Sequence, residues 1–194
     1  MGNAIDALAE ASDEALLILY GNGDPEAARI LTARLAPVAY RVAARMLADP
    51  AEAEDVAQEA MLRLWRLAPD WQGGAARVST WLYRVAANLA TDRLRRRRTL
   101  PLDAAADPAD ERPGAVAGLV AQDRAAALEA ALMRLPERQR QAVVLRHLEG
   151  LANPEIAEIM EVGVEAVESL VARGKRGLAE ALAGKREELG FDDG

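Results

Sequence analysis

The chain has 194 residues, no cysteine and one histidine, and its 24 Lys+Arg stand against 31 Asp+Glu for a net charge of −7. That inventory leaves no disulfide, no cysteine zinc site and no thiol chemistry, and the length fits one or two compact domains, with two expected. Aromatics are only 4% and alanine is abundant, which favours small-residue helix packing over strands of Val, Ile, Tyr and Phe and predicts an all-α fold.

The N-terminus MGNAIDALAE lacks a basic segment followed by an apolar one, and no run approaches the ~18 apolar residues of a membrane span. Neither a signal peptide nor membrane insertion is expected, and the absence of cysteine fits the cytosol. Helices are predicted over Asp13–Leu19 and Pro25–Leu47, the second capped by Asp24 with Pro25 in its first turn and closed by Asp49-Pro50. The next runs from about Ala51 to Leu67, with Val56, Ala60, Leu64 and Leu67 on one side and Glu52, Asp55, Glu59 and Arg63 on another. Pro69 ends it. Asp70-Trp71-Gln72-Gly73-Gly74 reads as a loop, and Ser79 or Thr80 as the cap of a helix whose buried stripe is Leu82, Val85, Ala86 and Leu89. Arg84, Asn88, Thr91, Asp92 and Arg95 share its other face at spacings of three and four.

From Leu100 to about Ala121 the sequence PLDAAADPADERPGAVAG, with three prolines and two glycines, reads as a linker. Helices are then predicted over Arg124–Leu135 and Glu137–Leu148, separated by Pro136. Asn153, Pro154 and Glu155 supply a cap, a first-turn proline and an acidic first turn for a short helix to about Met160. Glu161-Val162-Gly163 turns the chain into a last helix, Val164 to about Ala183, with Val164, Val167, Leu170, Val171 and Leu178 facing inward. Two short helices joined by about three residues that include glycine have the form of a helix-turn-helix.

Charge is polarised along this order. Residues 2–60 hold 11 acids and 4 bases, whereas 77–98 hold seven arginines and only Asp92, including five arginines within Arg93–Arg98. At physiological salt the Debye length is about 8 Å, so distant acids do not stop such a patch from attracting phosphate. A solvated helix end is the plain reading of the run. Trp71, Trp81 and Tyr83 just upstream add surfaces on which single-stranded bases stack, although a tryptophan such as Trp81 is equally a core residue. Asp55 and Glu59, four apart, can hold a magnesium ion, but no histidine or matching carboxylate helix accompanies them; docking of a basic partner is the preferred reading. His147 reads as a packing or capping residue. No catalytic, cofactor or metal residue is assigned. Glu165 and Glu168 open the outer face of the last helix, Ser169 follows, and Arg173, Lys175 and Arg176 come later, so phosphate holding falls to its C-terminal end.

Taken together, AEAEDVAQEAMLRLW, STWLYRVAANLATDRLRRR, LPERQRQAVVLRHLEGLANPEIAEIM and VGVEAVESLVARGKRGL resemble, in order, regions 2.2, 2.3–2.4 and 4 of the extracytoplasmic-function sigma factors. Asp55, Gln58, Glu59 and Trp65 fall at family positions in the first motif, and Trp81, Arg84, Asn88, Asp92 and Arg95 in the second. The resemblance implies two small helical domains joined by a flexible linker: region 2 over 12–98, linker 99–122, region 4 over 123–183, and an acidic tail 184–194. It implies that Asp55, Gln58, Glu59 and Arg63 dock core RNA polymerase, and that Trp71, Arg77, Trp81, Arg84, Asn88, Asp92, Arg95 and Arg96 contact the melted −10 element. Glu165, Glu168, Ser169, Arg173, Lys175 and Arg176 would meet the −35 duplex. Promoter DNA, core polymerase and an anti-sigma factor are the implied partners, the cytoplasm the implied compartment, and transcription initiation, not an enzymatic reaction of its own, the implied function. Glu168 and Leu170 stand where many relatives have Lys and Arg, Glu161 where the turn usually has glycine, and Met61 where an aromatic is frequent. A sigma-like mimic that titrates an anti-sigma factor, and an all-α magnesium-dependent hydrolase using Asp55 and Glu59, are the alternatives.

Overall fold

The structure is a computed structural model that describes residues 8–71, 77–99 and 116–183, with side chains from 123 onward in the last segment. Its regular elements are α1 (Asp13–Gly21), α2 (Pro25–Leu47), α3 (Pro50–Leu67), α4 (Val78–Thr99), α5 (Val116–Arg134), α6 (Glu137–Val143), α7 (Asn153–Met160) and α8 (Val164–Ala183). A 3-10 turn, Ala68–Asp70, follows α3, and a π-helical segment, Val144–Leu148, prolongs α6. No strand occurs among the described residues. The fold is all-α, in two helical units made of α1–α4 and α5–α8.

In the first unit, sequence signals and structure agree where carboxylates meet prolines. Asp24 Oδ1 accepts from the N–H groups of Glu26 at 2.9 Å and Ala27 at 3.3 Å, which opens α2. Asp49 Oδ1 accepts from Glu52 N–H at 3.0 Å and so caps α3 as well as following α2. Between them Ala48 sits in the left-handed region at φ 50°, which costs an L-residue about 1–2 kcal/mol. Ala48→Gly removes that cost but adds freedom to the unfolded chain, so a net gain of about 0.5–1 kcal/mol is expected. A thermal melt checks it, and an unchanged or lower midpoint would speak against strain at this position.

Helix α4 starts one residue before the expected cap. Ser79 and Thr80 lie inside it, and the N–H of Val78 donates instead to Glu14 Oε1 of α1, at 3.1 Å. Burial pulls the Glu14 carboxyl upward, but hydrogen bonds from its own backbone, from Val78 and from Ser12, with Arg77 nearby, hold it net below the ordinary glutamate value. A long-range carboxylate does what a local hydroxyl was expected to do. The buried side of α4 is Val78, Leu82, Ala86, Ala87, Ala90 and Leu94, while Val85 and Leu89 are only half-buried.

The core of this unit joins Leu16, Leu17, Leu31, Val42, Met46, Val56, Leu64 and Leu82 with many fully buried alanines, among them Ala39, Ala43, Ala53, Ala60, Ala86 and Ala90. Small side chains at these positions let α2, α3 and α4 approach closely, as the alanine-rich composition led us to expect. Gly21 makes a similar contact: a Cβ there would stand 2.9 Å from the carbonyl oxygen of Ala68.

The second unit buries Leu132, Leu135, Val143, Val144, Leu145, Ile156, Ile159 and Val167. Helix α5 begins at Val116, not Arg124, because the stretch from Val116 to Asp123 is mostly alanine and other helix-compatible residues, with Gly118 as its mild breaker. The remaining linker residues, 100–115, and the acidic tail 184–194 lie outside the described residues. Glu137–Leu148 is not one uniform helix, since its last five residues widen into the π segment. The cap of α7 also shifts: Asn153 is already helical, and Glu155 accepts from the Ala152 N–H at 3.0 Å. Glu161 turns the chain at φ 54°, the left-handed conformation for which glycine is the cheaper residue. On α8, Val167 and Gly174 are buried and Leu170, Val171 and Leu178 half-buried, but Val164, the first residue of the helix, is 39% exposed and not part of the inner face. At Gly174 a Cβ would come 2.5 Å from Val143 Cγ2 and 3.1 Å from the carbonyl oxygen of Gln139, so glycine sets the spacing of α8 on α6.

The two units touch. Arg140, only 4% exposed, reaches from α6 to donate to the carbonyls of Leu132, Met133 and Leu135 at the end of α5, and to Met46 of α2 at 2.7 Å. Burial, reinforced by the charge of Arg98, holds its pKa below the ordinary arginine value. Tyr83 packs against the cores of both units.

Candidate nucleic-acid and partner interfaces

Two surfaces flank α4. On one side α3 and α4 form an open groove of 400 Å³ lined by Asp55, Gln58, Glu59, Leu62, Arg63, Leu89, Asp92, Arg93 and Arg96. The geometry follows from helical spacing: positions 55, 58, 59 and 62 of α3 return to one face each turn and meet 89, 92, 93 and 96 of α4. Leu62, 48% exposed, and Leu89 give the groove an apolar strip between charges. Arg93 pairs with Asp55 at 3.2 Å and Arg63 with Glu59 at 2.8 Å. The Arg63 hydrogen bond, with the charges of Arg63, Arg66 and Arg93, holds the Glu59 carboxyl below its usual value. Both carboxylates considered for magnesium are therefore engaged by guanidinium groups. Among the described residues no group of three or more His, Cys, Asp or Glu side chains gathers as metal ligands would.

On its other side α4 presents Arg84, Asn88, Thr91 and Arg95 toward the second unit. Asn88, Thr91 and Arg95 line a 180 Å³ cavity with Glu137, Arg138, Gln141 and Met160. Asp92, expected on this face, instead lines the α3 groove. Arg84 pairs with Glu161 at 3.2 Å, Arg77 with Glu155 at 3.5 Å, and Arg95 and Arg98 with Glu137.

The arginine run is thus divided by function of position. Arg93 is held by Asp55, and Arg97 by Asp49 at 2.9 Å, Glu52 at 3.0 Å and the carbonyl of Leu47, where it ties α4 to the α2–α3 corner. Arg95 and Arg98 reach the second unit, and Arg96, exposed on the groove, makes no ion pair among the described residues. Only part of the run is a free cationic patch.

The aromatics are more buried than a stacking platform alone requires. Trp71 and Trp81 are half-buried and pack on the first core, and Trp71 Nε1 is buried without a hydrogen-bond partner among the described residues. Residues 72–76 of the adjoining loop lie outside the described residues. Tyr83 donates to Glu149 Oε2 at 3.3 Å; burial first, then the Glu149 charge and hydrogen bond, push its phenol up to about 12.

On α8, Glu165, Glu168, Ser169, Arg173, Lys175 and Arg176 are all exposed. The glutamates occupy the helix start and the bases its later turns, as the sequence order implied. His147 is exposed in the π segment.

Sequence reasoning missed Arg140, Glu137, Glu149, Glu155 and Glu14. Glu149 is the sharpest omission. Its side chain is only 2% exposed, and it lies 3.2 Å from Arg41 and 3.8 Å from Arg45, both on α2. Its arginine partners are more than a hundred residues away, so no local pattern marks it.

Residues 31–99 match sigma-70 region 2, and residues 125–178 match sigma-70 region 4. The chain is 32% identical over 186 residues to the RNA polymerase sigma-H factor of Pseudomonas aeruginosa, spanning 90% of this chain and 96% of that protein. It is 35% identical over 175 residues to the ECF RNA polymerase sigma factor SigM of Mycobacterium tuberculosis, spanning 89% and 86% respectively. The fold resembles CnrH in complex with the cytosolic domain of CnrY, with a TM-score of 0.68 at 24% identity over 90% of this chain and 99% of that one. It also resembles the sigma factor RpoE in complex with the anti-sigma factor NepR from Bartonella quintana, with a TM-score of 0.59 at 21% identity over 78% and 94%.

Proposed function

This chain belongs to the extracytoplasmic-function sigma factors of the sigma-70 family, and from that membership we propose that it directs core RNA polymerase to promoters in the cytoplasm. In this reading the acid-and-glutamine groove of α3, with Asp55, Gln58, Glu59 and Arg63, docks a basic helical surface of the polymerase. The side of α4 that carries Arg84, Asn88 and Arg95, with Arg77 just before it, holds the opened −10 strand, helped by Trp71 and Trp81 and, from the α3 groove, by Asp92 and Arg96. Helix α8 meets the −35 duplex through Glu165, Glu168, Ser169, Arg173, Lys175 and Arg176, and an anti-sigma factor controls the whole.

One observation carries the reading. A single helix, α4, borders a groove of paired carboxylates and arginines on one side and presents a cationic face on the other, so polymerase and nucleic acid are served by adjacent surfaces. A sigma factor acts by this positioning: phosphate contacts fix register, and exposed bases stack on neighbouring aromatics. The chemistry of RNA synthesis stays with the polymerase.

Run-off transcription with purified core polymerase on a library of promoter fragments tests the reading. Initiation that depends on this protein and selects among sequences is expected. Core binding with no transcript from promoters of its own genome would bring forward the second reading, a mimic that titrates an anti-sigma factor. The exposed Glu165 and Glu168 at the start of α8 favour that alternative, since carboxylates there face phosphate.

Arg95→Ala with Arg96→Ala should weaken promoter binding by the polymerase-bound protein across sequences. The slope of log affinity against log salt should flatten by about 0.7–0.9 per lost phosphate contact. A salt titration reads this directly, and an unchanged slope would remove these two arginines from the strand site.

A further inference from the structure

Three helices converge on one small cavity whose polar side chains are under-used. Asn88, Thr91 and Arg95 of α4 line it at spacings of three and four, Glu137, Arg138 and Gln141 of α6 face them, and Met160 at the end of α7 completes the lining. Gln141 is the anomaly. It is only 8% exposed, yet its carboxamide makes no hydrogen bond among the described residues. Nearly all buried polar side chains have a partner, because a dry, unpaired amide lowers stability. Asn88 and Thr91, from the other unit, make no side-chain hydrogen bond among the described residues either.

We propose that this cavity binds a free adenine nucleotide, with the base seated against Gln141 and the phosphate held by Arg95 and Arg138.

The volume selects a small group. A space of 180 Å³ equals about six waters at ~30 Å³ each. It admits one flat heterocycle and is well below the ~300–1,000 Å³ of pockets for drug-sized ligands.

The lining selects a base over a bare anion. An anion needs donors only, whereas acceptors are also present here: the Glu137 carboxylate, which Arg95 and Arg98 hold, and the amide oxygens of Asn88 and Gln141. Donors and acceptors side by side suit the edge of a nucleobase. A carboxamide pairs with adenine through the N6 amino group and N7 together, which satisfies both ends of the amide. Guanine presents two acceptors on that edge, N7 and O6, and leaves the amide oxygen unpaired. The thioether of Met160, buried beside the cavity, is a soft group of the kind that packs on aromatic rings.

Charge places the phosphate. Arg95 and Arg138 stand in the lining against Glu137 alone, and both are exposed, so the cavity meets solvent beside cations. Within the protein Arg138 makes one long bond, 3.4 Å to the Met160 carbonyl. A phosphate carried on the ribose of the bound base reaches these guanidinium groups, where charge-assisted hydrogen bonds are strong. A strand would have to pass between the two units to deliver a single base here, so a mononucleotide is the better fit. Asn88 and Arg95 also belong to the proposed strand face, so nucleotide and strand compete for them. That consequence rests on the sigma reading; the site itself does not.

The full chain is titrated calorimetrically with AMP, in the absence of polymerase and promoter, which keeps the outcome separate from the sigma reading. Saturable binding of one AMP per chain is expected, with GMP about tenfold weaker and inorganic phosphate weaker still. AMP should also shift the side-chain amide NMR signals of Gln141 and Asn88. Gln141→Leu keeps the volume and should weaken AMP about tenfold or more. The same variant should raise the melting midpoint of the ligand-free chain, because an unpaired amide has gone. Arg138→Ala alters an exposed side chain; it should weaken AMP several-fold and leave adenosine binding unchanged, a split that a structural role would not produce.

Absence of AMP binding, or equal AMP affinity in wild type and Gln141→Leu, would overturn the site. Inorganic phosphate binding as tightly as AMP would rule out recognition of the base. A short oligodeoxyadenylate that loses as much affinity as AMP on Gln141→Leu would give the pocket to a strand base and defeat the mononucleotide proposal.

Discussion

Arg140→Met is expected to lower the stability of the protein by about 3 kcal/mol or more, among the largest effects of any single side-chain change considered for this chain. The guanidinium is buried and has no carboxylate partner among the described residues; what holds it is a set of four carbonyls, three at or just past the C-terminal end of α5 and the fourth from Met46 near the end of α2. Leu132 also accepts from the Leu135 N–H at 3.0 Å; the other three carbonyls lie in last turns or just past them, where intrahelical donors run out. Methionine fills much of the volume but donates nothing, so the cost is that of leaving the carbonyls dry and unpaired. Hydrogen bonds from a charged donor are worth about 1.5–3 kcal/mol each before compensation by relaxation and water entry. Urea unfolding followed by circular dichroism measures the loss. A change below about 1 kcal/mol would mean that water replaces the guanidinium and that the four bonds are dispensable.

Glu59→Arg should weaken association with core polymerase by about 100-fold, ~2.7 kcal/mol, while changing stability far less. Glu59 lines the α3 groove, and the positive charges of Arg63, Arg66 and Arg93 already act on its carboxyl. Reversing its sign would leave a groove dominated by arginines facing a partner surface proposed to be basic. Like charges brought together at an interface cost several kcal/mol, whereas losing an exposed i,i+4 pair within a helix costs about 0.5 kcal/mol. The two readouts therefore separate. Affinity is read by titrating labelled protein with core polymerase, and stability by a thermal melt of the free chain. Affinity within threefold of wild type would remove Glu59 from the docking surface.

Both predictions bear on how much of this protein is legible in its residues. Local rules succeed where a side chain acts on its own neighbourhood. Asp24 caps α2 as expected, and Asp49, read from the sequence only as the close of α2, also caps α3. The helix-turn-helix is readable from Asn153-Pro154-Glu155 and the turn that follows, although the capping carboxylate is Glu155 and Asn153 is already helical. The two-sided character of α4 also follows from periodicity, with Asp92 and Leu89 displaced toward the α3 groove.

Distance in sequence is what hides the rest. Glu14 caps a helix that begins 64 residues later. Arg140, in the polar run PERQRQ, looks like a solvated residue, and nothing near it shows that two helix ends converge on its guanidinium. Glu149 follows a π segment that periodicity reads as ordinary helix, and its arginine partners lie on α2. The arginine run is legible as a cationic block but not as a division of labour, because its partners at 49, 52, 55 and 137 come from two parts of the chain far from it in sequence.

The alanines at the centre of the first unit constrain how this sequence can drift. In most cores a large side chain can shrink and leave a void that neighbours partly fill. Where a fully buried side chain is already alanine, as at Ala39, Ala43, Ala53, Ala60, Ala86 and Ala90, shrinkage leads only to glycine and growth forces the helices apart. Neutral paths through these positions are nearly closed, while the exposed faces of the same helices remain free to vary. Divergence among proteins built on this plan would then fall on their outer faces, where partners are chosen, with the spacing of α2, α3 and α4 kept as common property.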